Sequence, residues 1–373
     1  MTARHSIEAA HLLARWREAG FVDAEALRPV AAAVVVEARH YEPPLYLKIL
    51  SAIGTFVATL FFLAFLAVSG LISFDSGTGM MAWGAIFIAG AIALGFTLAK
   101  SEETAGITGD LLAQATFAAL AVGKILFVAG ALEHFDFRTP WVATYALAAV
   151  TIVTYPVTGS SLDRLLSPYA VACAALVEIL SRTAVGQATD GAMTIFFTVV
   201  TAIAGALLLS HRVPVAIRPI GLAALGAMGT VTTIVAIGHD GAFSMARQVL
   251  DPRPIEAILT AALVGCIAWA AGGLDRLARP PLAAAALGVT ALGFAGAPGV
   301  IFALLLLTVG HARHDLPMRV IGILSLPAFL VLWYYGRDMT FLAKSATLIG
   351  SGLLLLAARG GMMIMGWDRE DEA

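Results

Sequence analysis

The stretch LLAQATFAALAVGKILFVAGAL, residues 111–132, is apolar along almost its whole length and carries one charge, Lys124, near its middle. A helix needs about 20 mostly apolar residues to cross the hydrocarbon core of a membrane. A charge at the bilayer centre costs roughly 3 kcal/mol on insertion scales. The stretch therefore predicts a membrane-spanning helix, and Lys124 is the first candidate for a functional residue.

The composition of the whole chain agrees with this local pattern. Of the 373 residues, 60% are hydrophobic and only 13% are charged, and the mean hydropathy is +0.88. A soluble globular protein cannot bury that much apolar surface. The net charge is −2 and the basic residues are scattered, which argues against nucleic acid as a partner. Cys173 and Cys266 both lie in apolar runs, where we expect free thiols rather than a disulfide.

Apolar runs of membrane-spanning length recur along the chain and predict an all-α fold, a polytopic transmembrane bundle of about twelve spans. The predicted spans are 49–72, 80–99, 111–132, 140–157, 165–182, 191–210, 215–238, 255–272, 281–296, 298–311, 317–335 and 339–360. The pair 281–296 and 298–311 is short, with a turn signal at Ala297-Pro298-Gly299. It is either two crossings or one re-entrant hairpin.

The distribution of basic residues predicts the orientation. With a cytoplasmic N-terminus, 16 of the 23 lysines and arginines fall on the cytoplasmic side and 5 fall outside. This asymmetry predicts that both termini lie in the cytoplasm. Three regions follow: a helical cytoplasmic segment at 1–48, the transmembrane domain at 49–360, and an acidic cytoplasmic tail at 361–373. The first segment is either a small helical or interfacial cap or a surface that docks a partner.

Charged side chains inside the predicted spans usually pair or face a water-filled cavity. Lys124 lies roughly 20 Å and Glu178 roughly 17 Å into parallel spans, at 1.5 Å of rise per residue. Because the depths are similar, we predict an ion pair between Lys124 and Glu178. The pair either fixes helix packing or lines a polar pathway. A third possibility is a misplaced span boundary that leaves one of the two at the interface.

Other polar residues are weaker candidates. Gln114 precedes Lys124 by ten residues, nearly three turns, and so can share its helix face. Lys344 lies about five residues from the outer end of its span, close enough to extend its ammonium group to the headgroups. His311 and His314 have a spacing that occurs in metal sites, but they fall in a connecting loop without a third ligand.

The sequence contains none of the common catalytic motifs. We find no GxSxG, no HExxH and no phosphate-binding glycine loop with a lysine. The sequence therefore predicts no catalytic residue, no metal site and no cofactor, and we expect the protein not to be an enzyme.

A specific combination of features near the C-terminus resembles a bacterial family of multi-pass membrane proteins known as a domain of unknown function. These features are Pro298-Gly299, Tyr334-Tyr335, Lys344-Ser345, Ser351-Gly352 and the leucines at 353–356. The stretch YEPPLYLKILSAIGTFVATLFFLAFL, residues 41–66, is similar to the family's entry into its first span. The resemblance implies a helical inner-membrane protein, often accompanied by a second membrane-anchored protein, and implies no reaction or substrate.

Two functions remain open at this point. The chain is a structural or accessory subunit of a membrane or envelope complex, with the bilayer and a second membrane-anchored protein as partners. Alternatively, it is a secondary transporter or channel whose polar pathway passes Lys124 and Glu178.

Overall fold

A computed structural model describes most of the chain. The described ranges are 76–100, 107–136, 139–158, 160–182, 187–210, 213–214, 216–238 and 251–335, with scattered positions at 54–70 and 342–360. The predicted cytoplasmic segment at 1–48 and the acidic tail at 361–373 lie outside the described residues, as does most of the first and last predicted spans.

Ten α-helices and one short 3-10 helix, Leu274–Ala278, form the continuous described ranges, which contain no strand. The helices are α1 (Gly77–Lys100), α2 (Ile107–His134), α3 (Val142–Thr154), α4 (Ser161–Arg182), α5 (Gln187–Leu209), α6 (Arg218–Gly238), α7 (Arg253–Ala270), α8 (Pro280–Phe294), α9 (Pro298–Ala312) and α10 (Leu316–Tyr335). Each corresponds to one predicted span, and the all-helical class is confirmed.

Seven of these helices are long and apolar enough to cross a membrane, namely α1, α2, α4, α5, α6, α7 and α10. Helices α3, α8 and α9 are apolar but shorter. The described part of the chain therefore has the helices of a membrane protein, with seven candidate spans where the sequence predicts twelve for the whole chain. Many large apolar side chains point outward, as lipid contact requires, for example Ile125 at 67% and Leu324 at 67% exposure.

The chain divides into two compact units, residues 1–167 and 168–373. In the first unit, α1 and α2 pack closely because glycines face each other along both helices. A β-carbon added at Gly77 would lie 2.5 Å from the Gly130 carbonyl oxygen, and one at Gly84 would lie 2.7 Å from the Gly123 carbonyl oxygen. The two glycines on each helix are seven residues apart, so they lie on one face. This small-residue contact lets the two backbones approach directly.

The apolar core of the first unit lies beside this contact. Ile88 and Ala91 of α1, Leu120 of α2 and Val150 of α3 form a buried cluster. Leu120 stands one helical turn before Lys124, which links the core of this unit to the candidate site.

Helix α9 forms the centre of the second unit. Ten of its 15 residues are buried, and it packs against α6, α7, α8 and α10. Gly299, at its start, lies against the ring of Phe329 in α10, which leaves no room for a larger residue. This close approach gives a physical reason for the Pro298-Gly299 pair singled out in the sequence.

Helices α8 and α9 occupy the segment 281–311, for which the sequence predicts either two crossings or one re-entrant hairpin. They are joined by a tight turn in which Gly296 has a φ of +66°. Gly293 before the turn lies against Thr260 of α7. Thr260 lies about 10 Å of helix rise from the start of α7. After the turn, Gly299 contacts Phe329, which lies about 9 Å of helix rise from the end of α10. The hairpin therefore turns back before it reaches those ends.

Candidate functional site: a buried lysine and aspartate pair

Lys124 lies in the middle of α2. The apolar span within this helix is Leu112–His134, so Lys124 is one residue from its centre. Its exposure is only 5%, whereas the next residue, Ile125, is 67% exposed. Because neighbouring helix residues point about 100° apart, α2 can direct Ile125 outward and Lys124 into the protein.

The ammonium group of Lys124 contacts a carboxylate and a hydroxyl group, and a second hydroxyl group bonds to the same carboxylate. Lys124 Nζ donates to Asp163 Oδ1 and to Ser167 Oγ, both at 2.6 Å. Ser167 Oγ donates in turn to Asp163 Oδ1 at 2.8 Å, and Thr158 Oγ1 donates to Asp163 Oδ2 at 3.2 Å. We call these four residues the Lys124 cluster. All of its members are buried in the first unit.

The local sequence explains how α4 supplies two of these groups. The Asp163 backbone N–H donates to Ser160 Oγ in a long hydrogen bond of 3.4 Å, a contact typical of a residue that caps a helix start. Asp163 therefore lies in the first turn, where the helix dipole favours a negative charge. Ser167 follows four residues later and so lies on the same face. Both side chains can then reach one ammonium group.

Both charged groups of the cluster are hydrogen-bonded inside the protein. One oxygen of Asp163 accepts hydrogen bonds from Lys124 and Ser167, and the other accepts one from Thr158. Burial of an ion pair stabilises a fold only when good geometry and further hydrogen bonds offset the loss of hydration. This arrangement meets that condition. It can hold α2 and the start of α4 in one register.

The partner predicted for Lys124 from sequence needs correction. The lysine pairs with Asp163, and Glu178 is not among its hydrogen-bond partners in the described residues. Glu178 is half-buried on α4, fifteen residues beyond Asp163, and has interactions of its own. The predicted span started at residue 165 and left Asp163 in a loop, whereas α4 starts at Ser161. Side chains also incline toward the start of their helix, so Lys124 reaches residues nearer that end than its own Cα.

The remaining sequence candidates lie elsewhere. Gln114 is half-buried on α2 and makes interactions of its own, whereas Lys344 lies outside the described residues. His311 and His314 are exposed at the end of α9, and no group of three His, Cys, Asp or Glu within the described ranges could hold a metal ion. Cys173 and Cys266 are free thiols.

Sequence reasoning missed Asp163, Ser167 and Thr158. A signal for the first two was present, since Ser160 and Asp163 have the S-x-x-D spacing of a helix start. Asp163 and Ser167 have the i, i+4 spacing of one helix face. Thr158 precedes the helix, and no pattern in the sequence places it beside a carboxylate.

Comparisons with known proteins give one match. No curated protein and no solved structure matches the chain. One family model covers residues 44–363, which is most of the chain and includes the whole Lys124 cluster and all ten helices. The family resemblance found in the sequence is thereby confirmed. The chain belongs to the family defined by the domain of unknown function DUF4401.

Proposed function

We propose that this protein is a structural or accessory subunit of a complex in the bacterial inner membrane, and that the Lys124 cluster is a clamp inside it. The observation that carries the proposal is the closure of the cluster. Both oxygens of Asp163 and the ammonium group of Lys124 are already bonded to protein groups. A site that binds and releases a ligand needs polar groups that can turn toward that ligand.

Opening the clamp has a large free-energy cost. A charge left alone in a buried position typically costs about 3–5 kcal/mol. A ligand would have to supply this free energy each time it separated Lys124 from Asp163. The close contact of α1 and α2 through glycines also favours a rigid unit, because backbones that touch cannot slide without a clash. Rigidity suits a subunit that supports a partner.

The remaining features of the proposal follow from sequence. The protein has both termini in the cytoplasm, performs no reaction of its own, and binds a second membrane-anchored protein. The outward-facing apolar side chains of the described helices supply surface for lipid and for the helix of such a partner. About twelve spans or broken spans cross the membrane, and the α8–α9 hairpin enters and leaves from one side.

Co-purification from native membranes tests this proposal. The tagged full-length chain is extracted in mild detergent, and we expect one further membrane-anchored protein in stoichiometric amount. The double variant Lys124→Met with Asp163→Asn is a more specific test, because it removes both charges and leaves neither one buried alone. A clamp predicts that this double variant still binds the partner. A chain that purifies alone from every detergent contradicts the proposal.

A second function, a secondary transporter or channel, is favoured by the position of Lys124 one residue from the centre of its apolar span. Ionisable groups at that depth often mark ion or proton pathways. Proteoliposomes that hold only this chain distinguish the two functions. Ion or proton flux that disappears in the stable double variant supports transport, and absence of flux with a partner present supports the accessory function.

A further inference from the structure

Three arginines of the second unit come together where several helices end. Arg218 is the first residue of α6, Arg313 directly follows α9, and Arg319 lies in the first turn of α10. Arg218 pairs with Asp315 at 3.1 Å, and Asp315 also accepts the backbone N–H of Arg319 at its carbonyl oxygen, at 3.1 Å. We call Arg218, Arg313 and Arg319 the arginine cluster.

Arg313 connects this cluster to two further helices. Its guanidinium group donates to the backbone oxygen of Leu208, at the end of α5, and to that of Ser210 at 2.9 Å. The same group lies 5.6 Å from the ring centre of Trp269, near the end of α7. The ends of α5, α7 and α9 and the starts of α6 and α10 therefore meet at one end of the second unit.

The charges within the cluster do not balance. The described residues show one ion pair for the three arginines, between Arg218 and Asp315. Burial, with a smaller effect from the charge of Arg218, lowers the pKa of Arg313 below the usual arginine value. Arginine still stays charged at any physiological pH. A positive charge without a counter-charge favours a nearby anion.

Two hydrogen-bond donors of the cluster are also unused. The Nε atoms of Arg313 and Arg319 are buried and have no hydrogen-bond partner in the described part of the chain. Capping of the end of α5 explains the hydrogen bonds that Arg313 donates there, but it does not explain the unpaired Nε atoms. A guanidinium group offers several N–H groups in a fork that matches a phosphate. Among the described residues the Arg319 side chain makes no ion pair, and it packs on Gly310.

The surface next to Arg319 is apolar. On the same helix, Leu316 is 63% exposed, Val320 44% and Ile321 57%. Acyl chains of a phospholipid fit such a surface, and clusters of basic residues at helix ends are known to bind anionic lipid headgroups. We propose that the arginine cluster binds a phosphate-bearing anion, the headgroup of an anionic phospholipid whose acyl chains lie on α10. The site is independent of the Lys124 cluster and of the function proposed above.

Thermal unfolding of the purified full-length protein tests the site, because a ligand that binds the folded state raises the unfolding temperature with its concentration. The titrants are phosphatidylglycerol, phosphatidylcholine with the same acyl chains, and inorganic phosphate. We expect phosphatidylglycerol to stabilise the wild type and phosphatidylcholine not to do so. In Arg319→Gln the half-saturating concentration should rise about tenfold, as expected for the loss of a charge-assisted contact.

Arg253→Gln is the matched control. Arg253 is an exposed arginine of the same unit, but it starts α7 and stands sixteen residues, about 24 Å of helix rise, before Trp269. This variant should respond to phosphatidylglycerol as the wild type does. If inorganic phosphate stabilises the wild type as much as phosphatidylglycerol does, the site is supported and its ligand is free phosphate instead of lipid.

Two results would overturn the proposal. One is an unchanged response to phosphatidylglycerol in Arg319→Gln, and the other is equal stabilisation of the wild type by the two lipids. If Arg319→Gln does not fold, Arg319→Lys replaces it, since lysine keeps the charge but loses the fork geometry. We then expect binding several-fold weaker than that of the wild type, and unchanged binding counts against the site.

Discussion

A buried lysine is tolerated in an apolar helix when its charge and its hydrogen bonds are satisfied inside the protein. Lys124 meets Asp163 and Ser167 at 2.6 Å each. Forming such a pair contributes little net free energy, whereas removing one partner costs much more, because the remaining charge cannot recover its hydration in the interior. The residues of the Lys124 cluster should therefore behave as one coupled unit.

The first prediction concerns that coupling. Lys124→Met and Asp163→Asn should each lower the free energy of unfolding by about 3–5 kcal/mol, because each leaves its partner without its counter-charge. The double variant should recover much of this loss, which a double-mutant cycle from thermal unfolding in detergent measures. Glu178→Gln is the control, and it should combine additively with Lys124→Met. Additive losses in Lys124→Met with Asp163→Asn would refute the coupling.

The second prediction compares how much the hydroxyl groups of Ser167 and Thr158 stabilise the fold. Ser167 bonds to both charged groups, whereas Thr158 bonds only to Asp163. Ser167→Ala should lower the free energy of unfolding by about 1.5–3 kcal/mol and Thr158→Val by about 1 kcal/mol. Thr198→Val, at an exposed hydroxyl that bonds to its own helix, should change it by less than about 0.5 kcal/mol. Chemical unfolding gives all three values, and the reverse order for Ser167 and Thr158 would contradict the geometry.

At the scale of helices, the close packing of α1 against α2 depends on glycines, which have no side chain. The backbones are so close that a β-carbon at Gly84 would lie 2.6 Å from Phe127 N. That atom belongs to a helix backbone, which cannot rotate away as a side chain can. The glycine contact also fixes the neighbourhood of Lys124, because Gly123 is the residue before it.

The third prediction therefore compares two glycines of α1. Gly84→Ala should lower the free energy of unfolding by about 1–3 kcal/mol, since the helices must move apart to hold the methyl group. Gly90→Ala should raise it by about 0.5–1 kcal/mol, because alanine favours a helix and nothing lies within 4 Å of the new methyl group. Thermal unfolding of the two variants measures the difference. Equal effects would mean that the close contact is absent.

The fourth prediction concerns the α8–α9 hairpin. Because its turn stops short of the start of α7, a cysteine in the turn should be less accessible than one at that start. We expect a membrane-impermeant thiol reagent, applied to the face that reaches Arg253→Cys, to leave Ala295→Cys unlabelled. Equal labelling of the two positions would favour two complete crossings over a re-entrant hairpin.

At the scale of the whole molecule, the sequence predicts the helices better than their contacts. The helix around Lys124 was predicted at 111–132 and observed at Ile107–His134, because membrane burial leaves an apolar run as its signature. The partner of Lys124 depended instead on relative depth. The prediction takes α2 and α4 to start at the same depth, whereas Lys124, seventeen residues into α2, contacts Asp163 in the first turn of α4. Charge pairing is decided by side-chain reach and helix register, which no one-dimensional pattern contains.

The last prediction tests the orientation of the chain. The excess of basic residues in the predicted cytoplasmic connections places the connection with Asp275 inside and the end of α2, with Glu133, outside. Both residues are exposed. In intact cells, an impermeant thiol reagent should label Glu133→Cys and should leave Asp275→Cys unlabelled until the membrane is opened.

The termini extend this test beyond the described residues. Cysteines at His5 and Glu370 should stay unlabelled in intact cells, and one at Asp75 should react. The native thiols do not disturb the assay, since Cys266 is buried and Cys173 half-buried in apolar helices, and the unmodified chain measures their background. Labelling of Asp275→Cys with protection of Glu133→Cys would mean that the chain has the opposite orientation. The arginine cluster would then face the outer leaflet, and its anionic ligand would have to come from that side of the membrane.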